Sequence, residues 1–62
     1  MEFEIGPENQ GERLDHFLVK QLVDVGRSRI QQWIRDGHVL IATGPVRASK
    51  RLVDGEKIEV HP

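Results

Sequence analysis

Two helical patterns stand almost back to back in this chain, and the shortness of the link between them constrains the fold more than any other feature. Leu14, Phe17, Leu18 and Leu22 recur at i, i+3, i+4 and i+8, the spacing of one apolar helix face. Ile30, Trp33 and Ile34 make a second such face. Only Asp24-Val25-Gly26 lies between them. Helices joined so tightly must pack as a compact pair. The first is expected over roughly Glu12 to Val23, capped by Asn9 or Gly11. The second begins at a cap that is either Gly26 or Ser28, the latter forming a capping-box pattern with Gln31. Gly37 after Asp36 is a natural C′ residue, because glycine enters the left-handed conformation without a steric penalty. Trp33, between Ile30 and Ile34, is expected to anchor the pair to the rest of the core.

From His38 the texture changes. His38-Val39-Leu40-Ile41 is β-rich, Ala42-Thr43-Gly44 reads as a hairpin turn, and Pro45-Val46-Arg47-Ala48 as the return strand. Ser49-Lys50-Arg51 is a polar connection, after which Leu52 points inward. Val53-Asp54-Gly55-Glu56 is a second turn leading into the strand Lys57-Ile58-Glu59-Val60, with Ile58 and Val60 on one face and Lys57 and Glu59 on the other. Met1 to Ile5 alternates in the same way, with Phe3 and Ile5 on one side, and Gly6-Pro7-Glu8-Asn9 is turn chemistry. The fold class is therefore α+β: a two-helix pair packed on a small antiparallel sheet, in one domain over residues 1–62.

A chain of 62 residues hides only about 60% of its unfolded surface on folding. It has room for one thin core and none for a catalytic pocket of the usual ~300–1,000 Å³. With no cysteine it has no disulfide, thiolate metal site or cysteine nucleophile, which fits a cytoplasmic protein. No apolar run is long enough to span a membrane, and the acidic Met1-Glu2-Phe3-Glu4-Ile5 is unlike a signal peptide. No catalytic set is recognisable. His16, His38 and His61 lack metal-ligand spacing, Ser28 and Ser49 have no adjacent histidine, and no glycine-rich phosphate loop is present. Neither metal nor cofactor is expected.

The net charge is only −1, but the charge is unevenly spread. Glu2, Glu4, Glu8 and Glu12 precede any basic residue, and Asp54, Glu56 and Glu59 close the chain. Arg27, Arg29 and Arg35 cluster in the second helix, and Arg47, Lys50 and Arg51 follow the hairpin. Arg13, His16 and Lys20 form a further basic line on the first helix. A domain polarised in this way presents a basic face despite a near-neutral total. Two arginines in a first helical turn oppose the macrodipole at about 0.3–1 kcal/mol each, whereas the free N–H groups there suit an anion. Two readings follow: a phosphate clamp, or a solvated amphipathic helix.

Arg13-Leu14-Asp15 opening a helix, Arg27-Ser28-Arg29-Ile30, Trp33-Ile34-Arg35-Asp36-Gly37-His38-Val39, a hairpin, and Asp54-Gly55-Glu56-Lys57-Ile58-Glu59-Val60 together resemble the S-four RNA-binding domain. Its helix pair and sheet are the alpha-L motif. The nearest resemblance is to the N-terminal copy of that module in ribosomal large-subunit pseudouridine synthases. Arg-Leu-Asp also surrounds the catalytic aspartate of those enzymes, but there Thr-Ser-Gly follows. Here His16-Phe17-Leu18 continues a helix, so Asp15 is not read as catalytic.

The resemblance implies a monomeric module that grips structured RNA, ribosomal RNA foremost, and delivers an attached C-terminal catalytic domain. On this reading the chain is a fragment of a longer enzyme and has no activity alone. The family's RNA-facing surface carries over to Arg13, Arg27, Ser28, Gln31, Arg35 and the turn around Thr43. Arg29, Arg47 and Lys50 are added on electrostatic grounds. Two departures stand out. Gly26 replaces the usual Ser or Thr before the first arginine, and Ile41-Ala42-Thr43-Gly44 lacks the lysine of the family's Val-Asn-Gly-Lys turn. The competing functions are a protein-interaction adaptor and a DNA-binding helix-turn-helix with its second helix in the major groove.

Overall fold

The computed structural model describes residues 1–42 and 44–61; Thr43, named above for the hairpin turn, lies outside the described residues. In chain order the elements are strand β1 (Glu2–Glu4), a 3-10 turn (Pro7–Asn9), helix α1 (Leu14–Gln21), helix α2 (Arg27–Arg35) and strands β2 (Val39–Ile41), β3 (Gly44–Pro45) and β4 (Lys57–Val60). The strands form one antiparallel sheet in the order β1-β4-β2-β3. Phe3 faces Ile58 across one pair and Val39 faces Val60 across the next. That register aligns the inward residues of three strands on one face, and the helices cover it.

The core consists of Ile5, Leu14, Phe17, Leu18, Ile30, Ile34, Val39, Leu52, Ile58 and Val60. Leu14, Phe17 and Leu18 of the first stripe, Ile30 and Ile34 of the second, and the alternation in β4 are therefore buried as their periods indicate, while Leu22, just past the end of α1, is only partly buried. Leu52 turns inward as expected. Phe17 meets Phe3 edge to face, with ring centroids 5.8 Å apart, so α1 is keyed to β1 through a favourable aromatic geometry.

Trp33 differs from expectation. It is only partly buried and packs on the margin of the core, whereas Ile30 and Ile34 are the residues of α2 that fill it. A helix this short, lying on a sheet this small, covers its two aliphatic side chains first. The indole, one position before Ile34, is left at the edge.

The start of α1 also differs. Neither Asn9 nor Gly11 caps it; the N-cap is Arg13, with no side-chain cap. The orphan N–H groups are closed by other means. Leu14 N donates to Lys50 O at 2.9 Å and Asp15 N to Ala48 O at 3.2 Å. His16 N donates to the Asp15 carboxylate at 2.9 Å. The connection after β3 thus lies along the beginning of α1 and supplies the acceptors that a capping side chain otherwise would. The same connection shortens β3. Pairing with β2 stops at Pro45, and residues 46–48 leave the sheet to reach the helix, so the longer return strand does not form.

Helix α2 ends as its sequence indicates. Gly37 has φ 83°. Its N–H bonds Ile34 O at 3.3 Å while His38 N bonds Trp33 O at 2.9 Å, the paired bonds of a Schellman cap. At the other end Gly26 is the N-cap, with φ 87° and ψ 153°, so the Ser28–Gln31 capping box does not form. Those angles lie in a region that only glycine occupies without strain, so the backbone here calls for glycine and not for the Ser or Thr that the resemblance implies.

Gly26→Ser, although it restores a good capping side chain, is expected to destabilise the domain by about 1–3 kcal/mol, measured by urea denaturation. Ile30→Ala removes a fully buried side chain at a cost of about 2–5 kcal/mol. A core this small supplies only about 3–5 kcal/mol, so that variant should be largely unfolded at room temperature. Trp33→Ala should keep a cooperative, down-shifted melt by circular dichroism.

Candidate nucleic-acid interface

The cations of the chain divide into those that meet a carboxylate and those that do not. Arg13 lies side-on to Asp15, with Nε 3.1 Å from Oδ1 and Nη2 3.0 Å from Oδ2. Lys20 pairs with Glu12, so the basic line on α1 is largely neutralised. Lys50 pairs with Glu56 at 3.0 Å and donates to Arg51 O. Arg51 donates to Gly11 O at 3.1 Å. Among the described residues, Arg27, Arg29, Arg35 and Arg47 form no ion pair, and all four are exposed.

Helix geometry distributes these four. Gln31 and Arg35 sit on one line of α2 and meet Arg47 across a shallow groove, which Ile34, Gly37, Pro45, Val46 and Ala48 complete. Arg27, a turn before Gln31 on the same line, borders a depression shared with His16, Val19 and Lys20 of α1. Arg29 lies on the other flank with Gln32, Trp33, Asp36 and His38. Exposed Ser28 adjoins Arg27 and Arg29 at the start of α2. The structure therefore brings together Gln31, Arg35 and Arg47, extends that row to Arg27, and joins it to Arg13 through Asp15. Arg29 is separate, and Lys50 is engaged with Glu56.

The helix starts differ in the same sense. Every early N–H of α1 has a partner, as described above. In α2 the first bond is Ile30 N to Gly26 O at 3.1 Å. Among the described residues nothing accepts from the N–H groups of Arg27, Ser28 or Arg29. Open helix donors flanked by two cations form an electropositive end suited to an anion. The β1–β4 pair is mainly acidic: Glu2 stands across from Glu59 and Glu4 across from Lys57, and all four are exposed.

Asp15, weighed in the sequence only as a catalytic aspartate and set aside, has a structural role that its local motif does not show. It is 4% exposed and the one buried charged side chain among the described residues. Besides Arg13 and the His16 N–H it accepts from Gln31 Nε2 at 2.8 Å, the one side-chain hydrogen bond linking the two helices among those residues. Burial pushes its carboxyl up. The bonds from Gln31, His16 and Arg13, with the Arg13 charge, outweigh burial and hold it below its ordinary value. Glu12 is lowered chiefly by its hydrogen bond with Lys20. The signal for Asp15 lies in a contact between residues sixteen apart in sequence, on different helices, which no local pattern reveals.

A family model described as S4 domain matches residues 12–58. An uncharacterized RNA pseudouridine synthase of Bacillus subtilis is 34% identical over 53 residues, covering 86% of this chain and 18% of that protein. Ribosomal large subunit pseudouridine synthase D of Neisseria meningitidis is 40% identical over 50 residues, 81% of this chain and 13% of its own length. Ribosomal large subunit pseudouridine synthase C of Yersinia pestis is 33% identical over 58 residues, 94% of this chain and 18% of its own. The chain thus spans less than a fifth of the length of these curated relatives. Among the described residues no helix is long and apolar enough to cross a membrane.

Both lowered carboxylates stabilise the folded state above their ordinary values of 3.8 and 4.5. That contribution is lost as the pH falls through the lower folded values, because the unfolded chain then binds more protons. Asp15→Asn is expected to reduce stability at neutral pH by about 1.5–3 kcal/mol. It should also flatten the acid limb of Tm against pH, followed by thermal melts down to about pH 3.

Proposed function

The chain belongs to the S4 domain family, and on that premise we propose that it docks an attached catalytic domain, a pseudouridine synthase, onto structured ribosomal RNA in the cytoplasm. The docking surface is the row Arg27, Gln31, Arg35 and Arg47, with Arg13 beside it. The catalytic chemistry resides in the attached domain, and the 62-residue chain acts as the RNA-binding part of a longer enzyme.

The observation that carries this reading is the sorting of cations. Arg13, Lys20 and Lys50 are each paired with a carboxylate, and Lys57 stands among the glutamates of β1 and β4, whereas the arginines of the α2 row and Arg47 are exposed with no ion pair among the described residues. Unpaired guanidinium groups in a row offer planar, multidentate donors to successive phosphates. Double-stranded RNA presents phosphates and 2′-hydroxyls more readily than base edges, so such a row reads shape. The aromatic residues support the same reading. Phe17 is buried, Phe3 packs against it, and Trp33 is partly covered. None forms an exposed platform for stacking single-stranded bases.

Titrating the chain with an RNA hairpin, a DNA duplex and a single strand at several salt concentrations tests this reading. The hairpin should bind most tightly. Arg27→Gln/Arg35→Gln should remain folded and bind it more weakly. The slope of log affinity against log salt should shrink by about 0.7–0.9 per lost phosphate contact. The loss should be similar for different hairpin sequences, because phosphate contacts position the protein without reading bases. Glu2→Gln, on the acidic face, should leave affinity unchanged or slightly improved. A double variant with the parent's affinity and slope would return the arginines to a solvated helix face.

A further inference from the structure

Gln31 stands in the middle of the arginine row, yet it carries no charge and its amide nitrogen is already engaged. Asp15 Oδ2 accepts both from Gln31 Nε2 at 2.8 Å and from Arg13 Nη2 at 3.0 Å. Oδ1 is taken by Arg13 Nε and the His16 N–H. An ionised carboxylate only accepts, so the Gln31 amide has one orientation: its NH2 faces Asp15 and its oxygen faces away. That oxygen has no hydrogen-bond partner among the described residues. No buried side-chain oxygen or nitrogen among them lacks a partner, so Gln31 Oε1 is open to solvent. The residue lines the groove that Arg35 and Arg47 flank.

We infer that Asp15 is a positioning residue that makes this groove selective for ribose, by fixing Gln31 Oε1 as a neutral acceptor among arginine donors. The inference rests on the RNA reading given above. A phosphate oxygen accepts hydrogen bonds and gains nothing from a second acceptor. A 2′-hydroxyl donates one, lies next to the backbone phosphate, and is absent from DNA. Arginines on either side bind the phosphates while the amide oxygen receives the hydroxyl proton. If Gln31 were free to rotate it would offer its NH2 as readily as its oxygen, and the discrimination would be lost. The buried carboxylate prevents that rotation. Asp15 thus acts on RNA only through Gln31 and Arg13.

The test compares an RNA hairpin with its 2′-O-methylated counterpart, which keeps the A-form shape and charge but cannot donate. The parent chain should prefer the unmodified hairpin by about 3–10-fold, the net worth of a hydrogen bond. Gln31→Met should bring that ratio close to one, chiefly by weakening the unmodified hairpin, with the salt slope unchanged. Asp15→Asn should lower the ratio as well, and Asp15→Asn/Gln31→Met should lower it no further than Gln31→Met alone. The role of Asp15 is also readable without substitution. In the parent at neutral pH the Gln31 side-chain amide protons should resonate away from free glutamine values and exchange slowly.

The inference is overturned by a Gln31→Met or Asp15→Asn variant with the parent's ratio, by a Gln31→Met variant that loses both hairpins equally, or by a free-glutamine amide signal in the parent. A parent that binds both hairpins alike removes the ribose reading and leaves RNA docking standing. A parent that binds neither removes both.

Discussion

Residues 48–52 lie along residues 11–15, and the rest of the domain depends on that contact. Backbone bonds link Gly11 to Leu52, Leu52 to Glu12, Leu14 to Lys50 and Asp15 to Ala48. They close the sheet connection onto the start of α1 and satisfy donors that would otherwise be orphaned. They also fix the first turn of α1 against the segment that carries Arg47. Asp15 is presented from that turn, and Asp15 holds Gln31 on the neighbouring helix. A core of ten side chains is too small to set these positions by packing alone; the backbone strap gives them a defined register.

The electrostatics follow from the same arrangement. The strap and the first turn bring Arg13, Lys50 and Arg51 within reach of carboxylates or carbonyls, and Glu12 takes Lys20. What remains is a set of exposed arginines on α2 and the 45–48 segment, while on β1 and β4 the exposed Glu2, Glu4 and Glu59 outnumber the single exposed Lys57. A net charge of −1 therefore conceals two faces of opposite sign. Attraction of a polyanion depends on the local field and not on the total.

How much of this was legible in the residues depends on the range of the interaction. The stripe Leu14, Phe17, Leu18 and the alternation Ile58, Val60 are local periodicities, and both bury as expected. The Schellman end at Gly37 is equally local. The ordered set from Arg13-Leu14-Asp15 to Val60 pointed to the S-four module, and the family match over residues 12–58 agrees with it. The misread features are all non-local. The cap of α1 comes from a segment more than thirty residues away in sequence, so Asn9 and Gly11 were plausible and incorrect. β3 is short because residues 46–48 are drawn to the helix. Trp33 is marginal because the sheet beneath α2 is narrow. Among the candidate site residues, sequence alone could not separate Lys50, engaged by Glu56, from Arg47, which is not.

The division between paired and unpaired cations bears on how a module this small discriminates among polyanions. Phosphate contacts alone supply affinity and orientation without identity. With Phe17 buried, Phe3 packed on it and Trp33 partly covered, base stacking adds little. Selectivity must come from the spacing of the donors and from whatever neutral groups stand among them. Spacing is set by the helix, which places Arg27, Gln31 and Arg35 a turn apart, and by the strap that holds Arg47 opposite Arg35. A flexible neutral group in that row would adapt to any partner. Gln31 does not have that freedom, because a buried anion determines which end of its amide faces outward. A charge that never contacts the ligand can in this way confer direction on a side chain that does.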